Sequence, residues 1–83
     1  MITYETNNGT YCAAWPYTID YNDSHLSTQI RLWCLKNFGD PKPDIMSHSD
    51  FLSSDYRYID MVTWGEIEFK HKSDFNWFLL RWL

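Results

Sequence analysis

The sequence predicts a small α+β domain in which an antiparallel sheet carries two helices packed on one face. Segments that alternate apolar and polar residues lie on both sides of a segment with helical periodicity, and a second helical segment ends the chain. The predicted order of elements is therefore β-β-α-loop-β(-β)-α. The 83 residues allow one domain, 1–83, and an apolar content of 45% favours a packed core over disorder.

The first two strands form a predicted hairpin. Residues 2–6 alternate and are rich in β-forming residues, and Asn-Asn-Gly at 7–9 accepts the positive φ of a tight turn. Residues 10–15 then return as a second strand. Pro16 donates no hydrogen bond to a ladder, so it ends this strand or places it at a sheet edge. The pattern also allows the strand to continue beyond a bulge over residues 17–21.

A helix is predicted over residues 25–38. Asp23 and Ser24 supply its N-cap, Gly39 supplies a left-handed C-cap, and Pro41 follows where a helix cannot continue. Apolar residues recur at spacings of three and four and define its core face: Leu26, Ile30, Trp33, Cys34 and Phe38.

Residues 40–57 are predicted to form a long acidic loop within the domain, with room for one helical turn. Between Asp40 and Asp60, five aspartates stand against Lys42 and Arg57, which gives a local net charge of −3. The stretch is either a solvated loop or an acidic patch that meets a basic partner surface. In the second interpretation the binding residues lie in and beside the loop: Asp44, His48, Asp50, Asp55, Tyr56 and Arg57.

Residues 58–70 are again predicted to be β structure. Residues 66–70 alternate, with Ile67 and Phe69 directed inward and the charged residues outward. Gly65 is either a bulge in one long strand or part of a turn between two strands, and the pattern leaves both open.

The last helix is predicted to begin at a Ser73 cap, with Asp74 in its first turn. Its core face comprises Phe75, Phe78, Leu79 and Trp82. Trp77, Leu80 and Leu83 point elsewhere, so the helix is apolar around most of its surface. Either the middle loop folds over this second side, or the chain is a homodimer that associates through Trp77 and Leu80.

Aromatic residues are abundant in and around the predicted strands: Tyr4, Tyr11, Trp15, Tyr17, Tyr21, Tyr56 and Tyr58. They are either ordinary half-buried strand residues or a recognition surface for a protein or for the base of a small nucleotide. In the nucleotide hypothesis Arg57, Lys42 or Arg81 would contact the phosphate.

The sequence carries no recognisable catalytic motif. Its three histidines are each 23 residues from the next: His25, His48 and His71. Gly-x-Ser-x-Gly and Cys-x-x-Cys are missing, and the His-Ser-Asp at 48–50 could offer two metal ligands in a pattern that is common by chance. The strand glutamates are expected to face solvent: Glu5, Glu66 and Glu68. We therefore expect a non-enzymatic protein with no cofactor and no metal.

Charge, apolar runs and cysteine content limit the kinds of partner and the cellular location that we expect. Seven basic residues, scattered singly, against eleven acidic ones argue against nucleic-acid binding. Apolar runs of at most five residues argue against a membrane span. Cys12 and Cys34 form no disulfide framework, and without a leader sequence we expect both to be reduced and buried in a cytosolic protein.

Two stretches resemble small uncharacterised proteins of tailed bacteriophages. The first is a helix end with the pattern Trp-Cys-x-x-x-Phe-Gly at 33–39. The second combines the strand 67–70 with a C-terminal helix that ends in Phe-x-Leu-x-Trp at 78–82. The two stretches cover about a third of the chain and carry no catalytic residue.

The resemblance implies a phage origin and expression in the bacterial host cytoplasm. Small phage proteins of this kind often bind host enzymes or disarm host defences. The leading hypothesis is thus a phage accessory protein that binds and inhibits a host protein. A sponge for a signalling nucleotide is the alternative, and a minor virion structural protein is the third hypothesis.

Overall fold

The fold is a four-stranded antiparallel sheet with three helices, as seen in the residues that the structure describes. The computed structural model describes residues 1–15 and 21–83, and for residues 21–25 it describes the backbone alone. The strand order is β1-β2-β4-β3. The elements are β1 (Ile2–Glu5), β2 (Tyr11–Ala14), α1 (Tyr21–Phe38), α2 (His48–Leu52), β3 (Tyr58–Met61), β4 (Glu66–Phe69) and α3 (Lys72–Trp82). The predicted α+β class is confirmed.

Both hairpins turn at a glycine with positive φ. Gly9, with φ of +77°, closes the β1–β2 hairpin as predicted. A 3₁₀ turn and Gly65, with φ of +76°, separate β3 from β4, so the alternative of a turn between two strands is correct. A Cβ at Gly65 would lie 2.6 Å from the Trp15 carbonyl oxygen, and the Trp15 N–H donates to the Gly65 carbonyl at 2.9 Å. Glycine therefore permits this close approach of two backbones.

Helix α1 begins at Tyr21, four residues earlier than the sequence predicted. Asp23 and Ser24 therefore lie inside the helix and do not cap it, and Tyr21 is helical, which excludes it from a continued strand. The other residues of that proposed continuation, 17–20, lie outside the described part of the chain. The helix ends at Phe38, followed by Gly39 with φ of +81°, as predicted.

The main core lies between one face of the sheet and the helices α1 and α3. Its buried residues are Ala13, Ile30, Cys34, Phe38, Tyr58, Val62, Ile67, Phe69, Phe75 and Phe78. The ring of Phe69 lies at the centre, with its centroid 5.3 Å from those of both Phe38 and Phe78. The prediction of two helices on one face is confirmed. The predicted core faces of both helices are also confirmed, except that Leu26 is exposed. An 18-residue helix is about 27 Å long and a four-residue strand about 13 Å, so α1 is longer than the strands of the sheet.

Helix α2 lies on the opposite face of the sheet. It is the one helical turn that the sequence allowed within the acidic loop. Alternation directs Glu68 and Lys70 away from Ile67 and Phe69, and both contact α2 or the residues beside it. Phe51 of α2 is fully buried, and the Lys70 ammonium lies 4.7 Å from its ring centroid. The loop thus packs against the sheet as an element of the fold.

Candidate functional site

Glu68 is buried, although the sequence predicted that it faces solvent. It is 7% exposed because α2 covers its side of the sheet. The hydroxyl of Thr10 donates to its carboxylate at 2.9 Å, and Nε2 of His48 lies 2.6 Å from the same oxygen. The Cys12 thiol lies 3.7 Å from the other oxygen. These four residues, Thr10, Cys12, His48 and Glu68, form what we call the Glu68 cluster.

Tyr4 of the edge strand β1 lies on the same face of the sheet as Cys12 and Glu68. The Tyr4 hydroxyl donates to Glu66, and this hydrogen bond raises the pKa of Tyr4. Burial, together with the negative charge of Glu68, raises the pKa of the Cys12 thiol to about 12. At neutral pH Cys12 is therefore a neutral thiol, which is a poor nucleophile and a poor metal ligand.

The Glu68 cluster is suited to holding α2 on the sheet. A buried carboxylate needs hydrogen-bond donors. Around Glu68 the described groups are Cys12 of β2, Thr10 in the turn before β2, and His48 of α2. Among the described residues, no group of three or more His, Cys, Asp or Glu side chains is placed to hold a metal ion.

Arg57 is committed to a second internal contact. Its Nε and Nη2 donate to the two carboxylate oxygens of Asp74 at 2.8 and 2.6 Å. Asp74 is buried in the first turn of α3, and this pairing raises the pKa of Arg57. The guanidinium also lies 5.2 Å from the ring centroid of Phe38. The pair joins the start of β3 to α3.

Helix α3 begins at Lys72, one residue before the predicted Ser73 cap.

The residues predicted to bind a partner are spread over several local environments. Asp44 is exposed in a turn in which the Met46 N–H donates to the Pro43 carbonyl at 3.0 Å. Asp50 is exposed in the first turn of α2, Asp55 is exposed after it, and Tyr56 is half-buried. The structure joins His48 to Glu68, and Arg57 to Asp74, across the fold.

A polar depression of about 340 Å³ lies beside the acidic loop. Its lining residues are Arg31, Pro41, Lys42, Asp44, Asp60, Met61, Thr63 and Trp64. The Arg31 guanidinium donates to Asp60 at 3.0 Å and to Thr63, and the Lys42 ammonium donates to two backbone carbonyls. The two cations are thus already paired. Sequence reasoning missed Arg31 and Asp60 as partners because 29 residues separate them.

The outer side of α3 is exposed. Trp77 is 59% and Leu80 89% exposed, and Leu83 follows at 78%. The alternative that the middle loop covers this side is wrong, because these three side chains are exposed and α2 of the loop lies on the opposite face of the sheet. We call Trp77, Leu80 and Leu83 the α3 surface.

The chain matches no protein-family model, no curated protein and no solved structure. None of the helices in residues 1–15 and 21–83 combines the length and the apolarity needed to cross a lipid bilayer.

Proposed function

We propose that this chain is a non-enzymatic protein-interaction module that binds another protein through the α3 surface. The observation that carries the proposal is the exposure of Trp77 and Leu80, which none of the described elements covers. Tryptophan is enriched among the residues that contribute most to binding energy at interfaces. Large apolar side chains that lie together on an otherwise charged surface mark contact sites.

The inner side of α3 holds this surface in a fixed orientation. Phe75 and Phe78 are buried in the core, and Asp74 is held by two hydrogen bonds from Arg57. A helix that is packed in this way loses little further freedom when a partner binds, which favours affinity.

The proposed setting is the cytoplasm of a bacterial host, in which a phage protein binds and inhibits a host protein, for example one used in defence. The resemblance of residues 33–39 and 67–82 to phage proteins supports this setting. The exposed carboxylates of Asp44, Asp50 and Asp55 would steer the chain towards a basic surface of its partner.

The test compares three tagged proteins expressed in bacteria and cross-linked before purification: wild type, Leu80→Glu and Leu32→Glu. Leu32 is the matched control, because it is an exposed leucine on the other long helix. We expect one host protein to be captured by wild type and Leu32→Glu, and at a level about tenfold or more lower by Leu80→Glu. Equal capture by all three proteins, each with unchanged circular dichroism, would overturn the proposal.

Binding of a nucleotide is less well supported, because the three cations predicted to contact its phosphate already contact other groups of the protein. Arg57 pairs with Asp74, Lys42 donates to two carbonyls, and the Arg81 guanidinium lies 4.1 Å from the Trp82 ring centroid. A ligand at 100 times its Kd adds about 2.7 kcal/mol, or a Tm rise of roughly 10 °C or more in a small domain. We expect no such rise with a panel of cyclic nucleotides, and one would favour the ligand hypothesis.

A further inference from the structure

Strand β1 lies at an edge of the sheet and is exposed on both faces. Ile2 is 70% exposed, and Thr3, Tyr4 and Glu5 are exposed as well. The strand order places β2 on one side of β1, and in the described part of the chain no strand lies on the other side. Helices α1 and α3 cover the inner strands, so β1 projects beyond the core.

The backbone of β1 presents two residues to this open side. The Thr6 N–H donates to the Thr10 carbonyl at 2.9 Å, which makes this a hydrogen-bonded pair. Such pairs alternate along an antiparallel ladder, so Tyr4 and Ile2 also bond to β2. The N–H and C=O groups of Thr3 and Glu5 therefore point outward.

The two edges of the sheet differ. At the β3 edge, the Lys42 N–H donates to the outward carbonyl of Tyr58 at 2.9 Å, so the loop covers part of that edge. Strand β1 contains no proline, no lysine and no bulge, and its protection is limited to its length of four residues and the charge of Glu5. Its sequence, Ile-Thr-Tyr-Glu, is instead rich in β-forming residues.

We infer that β1 pairs antiparallel with β1 of a second copy around a two-fold axis, which joins the two sheets into one. Opposed residues must share a face, and pairing of Thr3 with Glu5 of the second copy satisfies this rule. By symmetry this register uses the outward N–H and C=O groups of Thr3 and Glu5 on both strands. It places Tyr4 opposite Tyr4 of the second copy.

Side-chain chemistry favours this register over its neighbours. The carboxylate of Glu5 lies beside the Thr3 hydroxyl of the second copy, which can donate to it. A shift by two residues in one direction would oppose the two Glu5 side chains, which is unfavourable. A shift in the other direction pairs Thr3 with Thr3 and leaves Glu5 beyond the paired strand. The inference does not depend on the proposed function, since β1 and the α3 surface are different sites.

The test removes the outward donor with Thr3→Pro. The Thr3 N–H does not bond to β2, and proline is tolerated in edge strands, so the fold should persist. Thr3→Ser is the matched control, because it keeps both the N–H and the hydroxyl. In sedimentation velocity we expect wild type and Thr3→Ser to be dimers, and Thr3→Pro to dimerise about tenfold or more weakly.

Hydrogen exchange of wild type provides a second measurement that needs no variant. The amides of Thr3 and Glu5 should be protected at high concentration and lose that protection on dilution. A wild type that stays monomeric at high concentration, or unprotected Thr3 and Glu5 amides in a dimer, would overturn the inference. A dimer that Leu80→Glu abolishes and Thr3→Pro leaves intact would assign self-association to the α3 surface instead, as the sequence predicted.

Discussion

Replacing Arg57 with alanine should destabilise the fold by about 2–3 kcal/mol. The change removes two hydrogen bonds, of 2.8 and 2.6 Å, from the buried carboxylate of Asp74. Breaking a fully buried ion pair costs about 3–5 kcal/mol and an exposed pair about 0–1 kcal/mol. The Arg57 side chain is 42% exposed, so we take about 2 kcal/mol for this pair. Loss of the contact with the Phe38 ring adds about 0.5–1 kcal/mol.

Urea denaturation of a double-mutant cycle measures this interaction. The cycle comprises Arg57→Ala, Asp74→Ala and the double variant, and we expect a coupling of about 1–2 kcal/mol. Arg81→Ala is the control, since that exposed guanidinium contacts the neighbouring Trp82 ring, and it should cost less than about 1 kcal/mol. A coupling near zero would refute the reasoning. An Arg57→Ala protein of unchanged stability that loses its partner would return Arg57 to the predicted binding set.

Two further predictions concern a glycine and a thiol. Gly65→Ala should cost at least about 1 kcal/mol more in urea denaturation than Gly9→Ala: both glycines have positive φ, but only a Cβ at Gly65 meets the Trp15 carbonyl oxygen, at 2.6 Å. Equal costs would mean that the β3–β4 turn relaxes freely. Burial raises the pKa of the Cys34 thiol from 9.0 to about 12. Because the pKa is raised in the folded state, burial of the neutral Cys34 thiol gives its full stabilisation below pH 9, and this stabilisation is lost as the pH rises towards 12. Wild type should therefore lose stability over this range more steeply than Cys34→Ala, and parallel slopes would contradict the assignment.

Local signals in the sequence were sufficient for most of the fold. The turn at Gly9, the end of α1 at Gly39 and the core face of α3 each depend on residues within a few positions of one another. The start of α1 was not predicted correctly, because Asp23 and Ser24 favour a cap but also fit inside a helix. Leu26 has the periodicity of a core residue, yet periodicity does not reveal how far the sheet extends beneath a helix.

The Glu68 cluster could not be predicted, because its contacts join distant parts of the chain. Alternation in β4 correctly separates Glu68 from Ile67, but it does not say whether the other face of the sheet is covered. That depends on α2, which brings His48 to Glu68 across 20 residues of sequence. The pairing of Arg57 with Asp74, 17 residues apart, was missed for the same reason.

The charged residues and the apolar residues that the sequence predicted to form contact surfaces therefore differ in the structure. His48 and Arg57, chosen from the acidic loop as binding residues, are used to attach α2 and α3 to the sheet. Trp77 and Leu80, chosen because α3 has more apolar residues than one core face needs, stay exposed. Burying a leucine side chain is worth about 1.5–3 kcal/mol, and folding of this chain does not gain it at Leu80. Contact with another molecule would gain it, which is why the proposed contact surface is built on exposed apolar residues and not on charged residues that already have internal partners.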